Sequence, residues 1–278
     1  MKKLLILTLG LFFSLSFAQR HEIGIFAGGA NLIGDIGKSN YINPAPVSYG
    51  SESLMDRIPF AFGAIYRFNF NPYMGVRFNG IFSRVVGADA SAPEQYKKER
   101  DYAYKNNIIE ASLVFEYNFF DINNSDGRKH SPYIFGGVGA FLYDKPLYTA
   151  NHTFARDQNG VILDPPSIQT ELVSRTEKET KFTVPFGAGY KYKYRGNFVI
   201  SAEVGFRYTQ SDNLDFSFSN ESDFTFNSEP GLNEQDITEL NSNIIKSRQV
   251  GNMSSNDWYV FTGLTLTYTF GRPPCYCD

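Results

Sequence analysis

The chain contains little cysteine, little histidine and, beyond its first residues, no long apolar run. The only two cysteines are Cys275 and Cys277, so the body of the chain is expected to carry no disulfide. Past residue 18, no apolar run reaches the roughly 20 residues that a membrane-spanning helix needs. The formal net charge is −3. This argues against a nucleic-acid partner, because proteins that bind phosphates carry an excess of Lys and Arg.

The first 18 residues have the pattern of a secretory signal peptide. Lys2 and Lys3 form a positive start, residues 4–13 form an apolar core, and Ser16-Phe17-Ala18 is a small-x-small cleavage site. An N-terminal membrane helix is the alternative, but the apolar run is short for one. We therefore predict an exported chain that begins at Gln19. The residue directly after the cleavage site is Gln19 and not a cysteine, so a lipid-anchored N-terminus is not expected.

Aromatic residues and glycine are abundant: aromatics make up 16% of the chain, and there are 24 glycines. Residues 181–208 show how the aromatics are arranged. Apolar or aromatic residues occupy every second position, small or polar residues occupy the others, and Arg195-Gly196-Asn197 interrupts the pattern as a turn. Since side chains of a strand alternate between its faces, this predicts a hairpin with one apolar and one polar face. Strands of roughly ten residues that end in aromatics suit a tilted path through a bilayer.

The same alternation recurs along the chain and predicts eight strands. They are expected at 21–33, 58–70, 73–86, 107–120, 132–143, 181–194, 198–208 and 257–271. The connections after the odd-numbered strands are long, at 34–57, 87–105, 144–180 and 210–256. The connections after the even-numbered strands are short. Ten strands are the alternative if part of 210–256 pairs.

Alternating long and short connections are typical of outer-membrane barrels, which have an even strand number, short periplasmic turns and long outer loops. The predicted fold class is therefore all-β: an eight-stranded antiparallel transmembrane β-barrel of the OmpA/OmpX type. Its expected organisation is a signal peptide at 1–18, a barrel at 19–271 and a periplasmic tail at 272–278. The expected location is the outer membrane, among its lipids, with both termini periplasmic.

Several charged residues fall on the predicted inward face of the barrel. They are Arg67, Arg77, Glu110, Glu116, Glu203 and Arg207. Counted from the short turns, Arg67, Arg77 and Glu116 lie at similar depth, and Glu110 and Arg207 form a higher layer. Charges of both signs in a narrow bore are expected to pair, because an unpaired buried charge is costly. The favoured interpretation is a polar plug that stiffens the barrel, and the alternative is an ion or proton path.

An enzymatic role has little support in the sequence. Some small barrels act on lipids with a Ser nucleophile and a His base. Of the three histidines, His21 and His130 fall at the turn end of the predicted barrel, and only His152 falls on an outer loop. There is no GxSxG motif. We expect no catalytic residue, metal site or cofactor.

Cys275 and Cys277 follow Pro273-Pro274 in the short tail. They could bond each other in a small strained ring, bind a metal together with another chain, or cross-link to a periplasmic partner. The cross-link is the preferred interpretation, because the two prolines stiffen the exit from the barrel and hold the cysteines away from the membrane.

Both ends of the chain resemble the PorG-type outer-membrane proteins of Bacteroidetes. The resemblance lies in residues 21–37 (HEIGIFAGGANLIGDIG), 40–44 (NYINP) and 269–275 (TFGRPPC). It implies a non-catalytic role in type IX protein secretion and, in gliding species, motility. The implied partner is a periplasmic ring that contains a lipoprotein, of the PorK/PorN type. Alternatives from the residues are a porin or adhesion barrel that works through its outer loops, and a lipid-modifying enzyme that uses His152.

Overall fold

The computed structural model describes residues 20–271, except 39–40, 43, 45, 48–56, 125–126, 164–165, 195–196 and 253–254. The strands are β1 (Arg20–Ile33), β2 (Phe60–Asn69), β3 (Met74–Ala88), β4 (Ala103–Asn118), β5 (His130–Phe154), β6 (Ile168–Lys193), β7 (Phe198–Thr209), β8 (Phe224–Ser228) and β9 (Trp258–Phe270). The described α-helices are α1 (Gln95–Arg100) and α2 (Glu234–Ser247).

Eight of these strands close into a ring. Strands β1 to β7 pair in chain order, and β9 joins β7 to β1, with every pairing antiparallel. The predicted eight-stranded antiparallel barrel is confirmed. Part of the segment 210–256 does pair, as the ten-strand alternative required, but it adds a single strand outside the ring. This strand, β8, runs parallel to β5 over Tyr148–His152.

The barrel is apolar outside and holds charged side chains in part of its bore. On β6 the exposed fraction of Phe182 is 80%, whereas Arg67 on β2 is fully buried in the bore. Aromatic side chains gather on the outer surface near both ends, such as Tyr192 and Phe270 at one end and Phe60 and Trp258 at the other. This arrangement suits a lipid environment, because apolar side chains then face the hydrocarbon and every strand has two partners.

The segment 144–180 is not a loop as predicted. β5 and β6 continue as a regular antiparallel hairpin beyond the barrel, as far as the pair Phe154 and Ile168. The sequence signal failed here because β6 is exposed or partly exposed at every position from Ile168 to Thr180, and on β5 only Tyr148, Ala150 and His152 are buried. A strand in this setting needs no apolar face, and the exposed positions of β6 carry charges instead.

Two other predicted loops contain regular structure. Within 87–105, β3 runs on to Ala88, β4 begins at Ala103, and α1 lies between them. Within 210–256 lie β8 and α2, and α2 begins after Asn233, whose side chain accepts a hydrogen bond from the Gln235 amide at 3.1 Å. α1 is too short to show a periodic pattern. α2 does carry apolar residues at helical spacing, namely Ile237, Leu240, Ile244 and Ile245, and the sequence prediction missed this signal.

The predicted signal peptide (1–18) and tail (272–278) lie outside the described residues and stay predictions. Of the segment 34–57 the structure describes only part. Among the described residues, no helix is long and apolar enough to cross a membrane.

Candidate functional site

The connections between β2 and β3, β4 and β5, and β6 and β7 are short and lie at one end of the barrel, called here the turn end. The opposite end, called the loop end, carries the long connections, the β5–β6 hairpin, β8 and both helices. The described chain begins at the turn end, where Arg20 pairs with Asn69, and β9 also ends there, where Phe270 pairs with His21.

A layer of paired charges fills the bore near the turn end. Strand register places Arg67 directly opposite Arg77, two like charges that need separate carboxylates. Glu116 lies between them: its carboxylate is 2.7 Å from Arg67 Nε and 3.1 Å from Arg77 Nε. Arg77 Nη1 also contacts Glu203 Oε2 at 2.5 Å. All four side chains are nearly or completely excluded from water.

Two further charged residues complete this layer, and the sequence prediction did not include them. Glu22 forms an ion pair with Arg67 and accepts a hydrogen bond from Asn69 Nδ2 at 2.7 Å. Lys191 Nζ lies 2.6 Å from Glu116 Oε2. Among the described residues, the layer therefore holds three cations and three carboxylates and is neutral. Strand alternation could have identified both residues, since each occupies an inward position of its strand.

The second predicted layer lies nearer the loop end. Arg207 Nε contacts Glu110 Oε2 at 3.2 Å, and the Tyr259 hydroxyl donates to the same oxygen at 2.9 Å. The Arg207 guanidinium also lies over the Phe261 ring, 4.2 Å from its centre. All six predicted inward charges therefore lie in the bore. Five of them lie in the layers that strand depth suggested, and Glu203, for which no layer was predicted, joins the layer of Arg77.

Apolar side chains occupy much of the bore on the loop-end side of the charge layer. The buried cluster includes Phe26, Ile65, Ile81, Ile108, Phe141 and Tyr259. Together, the neutral ionic layer and this cluster fill the interior as a core. Such packing is expected of an eight-stranded barrel, whose interior is just wide enough for side chains. The arrangement supports a plugged, rigid barrel rather than an ion path.

A cap of hydrogen-bonded loop segments closes the loop end, and Asp89 and Arg100 hold it together. Asp89 accepts hydrogen bonds from the Gly37 amide at 2.7 Å and from Arg100 Nε at 2.6 Å. Arg100 also donates to the carbonyls of Asp35 and Val250 at 3.0 and 2.9 Å. Burial opposes ionisation of Asp89, but the bonds from Arg100 and Gly37 hold its pKa below the usual value.

Three other aspartates at the cap, Asp212, Asp215 and Asp257, have pKa values above the usual value. A Cβ on Gly34 would lie 2.6 Å from Asp215 Oδ2 and 2.7 Å from Asp257 Oδ1, so both carboxylates pack against this glycine. Burial and the nearby Asp215 raise the pKa of Asp257 well above its usual value. Burial, Asp35 and Asp215 raise the pKa of Asp212 to about 7.

The raised pKa of Asp212 predicts that the cap loosens as pH rises. A carboxyl that holds its proton more tightly in the folded state stabilises that state fully below about pH 4, and this stabilisation is lost as pH rises through about 7. Asp212→Asn should therefore stabilise the cap at pH 8, by on the order of 1 kcal/mol since the group is partly exposed, and should have no effect at pH 4. Hydrogen exchange of cap amides, corrected for intrinsic rates, measures this difference. The matched control is Asp236→Asn on the exposed face of α2, and an equal pH dependence in wild type and Asp212→Asn would contradict the assignment.

His152 is not placed as a catalytic base. It lies buried on the extended part of β5, where Nδ1 is 2.8 Å from Thr170 Oγ1 and Nε2 is 2.8 Å from Asn241 Oδ1. Both ring nitrogens are thus engaged, and neither bonds a serine of the described chain. The residue instead links α2 to the hairpin. His21 and His130 each contact a tyrosine hydroxyl, of Tyr66 and Tyr190, at the turn end.

The remaining predicted site residues, Cys275 and Cys277, lie outside the described residues. Across the described part of the chain, no group of three or more His, Cys, Asp or Glu side chains is arranged to hold a metal ion.

A closed antiparallel ring with an apolar exterior and an interior filled by side chains defines the class of the protein: it is a small β-barrel of the outer-membrane type. The chain belongs to the family described as a domain of unknown function, DUF6089, whose model matches residues 2–170, 159–243 and 232–278. No curated protein gives a significant match to the chain.

Several solved outer-membrane barrels are similar in outline. They include Ail, the attachment invasion locus protein of Yersinia pestis (11% identity, 91% of this chain and 100% of that chain covered, TM-score 0.40). They also include the N-terminal barrel domain of Pseudomonas aeruginosa OprF (10%, 91% and 98%, TM-score 0.37) and Neisserial surface protein A (10%, 91% and 95%, TM-score 0.35). At these scores the fold assignment rests on the strand ring of the chain itself.

Proposed function

We propose that this protein is a non-catalytic outer-membrane anchor of the type IX secretion machinery, which holds a periplasmic lipoprotein ring through its turn end. The observation that carries the anchoring role is the plugged bore. Three cations and three carboxylates neutralise one another next to a buried apolar cluster, and side chains that fill the bore in this way favour a rigid barrel. The secretion role is supported by the resemblance of residues 21–37 and 269–275 to PorG-type proteins.

The turn end is the proposed attachment surface. β9 ends there at Phe270, so the tail with Cys275 and Cys277 continues from this end. Seven residues, 272–278, span at most about 25 Å when fully extended. A partner cysteine must therefore lie close beneath the barrel. In an oxidising compartment such a pair forms a disulfide readily.

The test is a non-reducing gel of native envelopes, probed for this protein. Wild type is run beside Cys275→Ser, Cys277→Ser and the double variant, and Ser247→Cys on α2 serves as a loop-end control. The expected result is a higher-mass band that reductant removes, that contains a periplasmic lipoprotein by mass spectrometry, and that the double variant lacks. A monomer band in every lane, together with normal secretion by the double variant, would overturn the attachment.

A second candidate is a surface barrel that works through its loop end. The observation that favours it is the amount of regular structure there: the extended β5–β6 hairpin, β8 and α2. Replacing residues 147–175 by a short turn separates the two candidates, since the anchor should still support secretion whereas a surface receptor should lose binding. Stepwise conductance in planar bilayers would contradict the plug and favour a porin.

A further inference from the structure

One edge of the extended hairpin has no strand beside it in the part of the chain that the structure describes. Within the barrel β6 pairs with both β5 and β7, but its pairing with β7 begins only at Thr183 and Thr209. From Ile168 to Phe182, β6 pairs with β5 alone. The additional strand β8 lies on the other side of β5 and leaves this edge open. A regular strand edge of this length is a template for another strand.

The free edge is highly charged, which prevents pairing with most other strands. Its charged residues are Glu171, Arg175, Glu177, Lys178, Glu179 and Lys181. Arg175 and Glu177 form an exposed ion pair with side chains 70% and 55% accessible. Lys181 contacts Glu179, and Glu171 is exposed on the surface. An incoming strand must therefore match these charges position by position.

Among the antiparallel registers in which this edge can pair with itself, the register about Thr176 forms the most opposite-charge pairs. Pairing about Val173 also avoids like charges, but it forms only the two pairs of Glu171 with Arg175. If two copies pair about Thr176, each Arg175 faces Glu177 of the other copy and each Glu171 faces Lys181 of the other copy. No like charges then face each other. Pairing about Arg175 instead places the two Arg175 side chains opposite each other, and pairing about Glu177 places the two Glu177 side chains opposite each other. Opposite charges directly across two antiparallel strands stabilise the pair, and like charges destabilise it.

We propose that this free edge of β6 is a homotypic docking site, where two copies of this chain pair about Thr176 into one continuous sheet. The partner is a second copy because the edge supplies its own complementary charges. This inference is independent of the proposed secretion role.

The geometry of this pair places the two barrels at opposite ends of the joined sheet. Seven residues separate Thr176 from Thr183, where β6 enters the barrel, a distance of about 23 Å along a strand. In an antiparallel pair the second barrel lies the same distance away in the opposite direction. Two copies whose hairpins project from the membrane therefore connect two membranes that face each other across their loop ends.

The first experiment uses the full chain in liposomes, with the outward orientation checked by protease cleavage of the hairpin. Wild-type vesicles should cluster, measured by light scattering. Glu171→Lys alone and Lys181→Glu alone should each cluster at least about tenfold more slowly, because two facing pairs become repulsive. Mixing the two variant populations should restore clustering, because positions 171 and 181 of the two unlike copies again carry opposite charges wherever they face each other.

The charge-matched controls are Glu239→Lys on α2 and Lys98→Glu on α1, both exposed and neither on the β6 edge; they should cluster like wild type. Failure of the mixture to recover, or an equal loss in the controls, would overturn the register. A cross-link gives a second test in the Cys275→Ser/Cys277→Ser background. Thr176→Cys should form an oxidised dimer in clustered vesicles, whereas Thr180→Cys, which faces Leu172 of the other copy, should not. The reverse pattern, or no dimer from either, would refute the proposal.

Discussion

Replacing Glu116 by Gln should destabilise the barrel by about 3–5 kcal/mol, the usual cost of removing one partner from a buried ion network. Glu116 contacts Arg67, Arg77 and Lys191 at 2.6–3.1 Å, and its side chain is fully buried. Without this charge, three cations share two carboxylates, and Arg67 and Arg77 remain directly opposite each other. Urea unfolding in lipid vesicles, followed by the fluorescence of the single tryptophan, Trp258, measures the loss.

Two companion variants test whether charge balance causes the effect. Adding Lys191→Met to Glu116→Gln restores neutrality and should recover part of the lost stability. Ser112→Ala, at an inward position of β4 between Glu110 and Glu116, removes a single hydrogen bond with Asn79 and should cost only about 1 kcal/mol. If the double variant is less stable than Glu116→Gln alone, charge balance is not what stabilises this layer.

Replacing Gly187 by Val should prevent folding or destabilise the barrel by about 3 kcal/mol or more. A Cβ at this inward position of β6 would lie 2.2 Å from the Val204 carbonyl oxygen and 2.7 Å from Phe135 Cζ. The carbonyl belongs to the neighbouring strand and cannot move without breaking the β6–β7 ladder. The readout is the heat-dependent shift in gel mobility of the folded barrel, together with urea unfolding.

Gly136→Val is the matched control. Gly136 is paired with Phe186, next to Gly187, but a Cβ there meets no atom within 4 Å because the position faces outward. Its effect should stay within about 0.5 kcal/mol. Equal damage from both variants would show that the β-sheet tolerates no added side chain in this region, and would refute the specific contact with Phe135.

The sequence by itself determined the barrel and the contents of its bore. Side chains of a strand alternate strictly, so the pattern through Phe182, Val184 and Phe186 fixes which residues face outward, and the same rule places Arg67 and Glu116 inside. The alternation of long and short connections then gives an even number of strands. These features depend only on residues that are close in the chain and on whether a strand face meets lipid or the barrel interior. They can therefore be predicted from the sequence.

Only the tertiary structure determines which charged residues form ion pairs and which strands and helices lie at the loop end. Glu203 joins Arg77 although 126 positions separate them, and this depends on the shear of the closed ring rather than on any local pattern. The extended part of the β5–β6 hairpin was not predicted because β6 is exposed on both faces there and β5 buries only Tyr148, Ala150 and His152, so no regular apolar face marks its strands. β8 was not predicted for a different reason. It has only five residues, too few to show the alternation of a strand, and it forms by pairing in parallel with β5, a contact that the local sequence does not indicate.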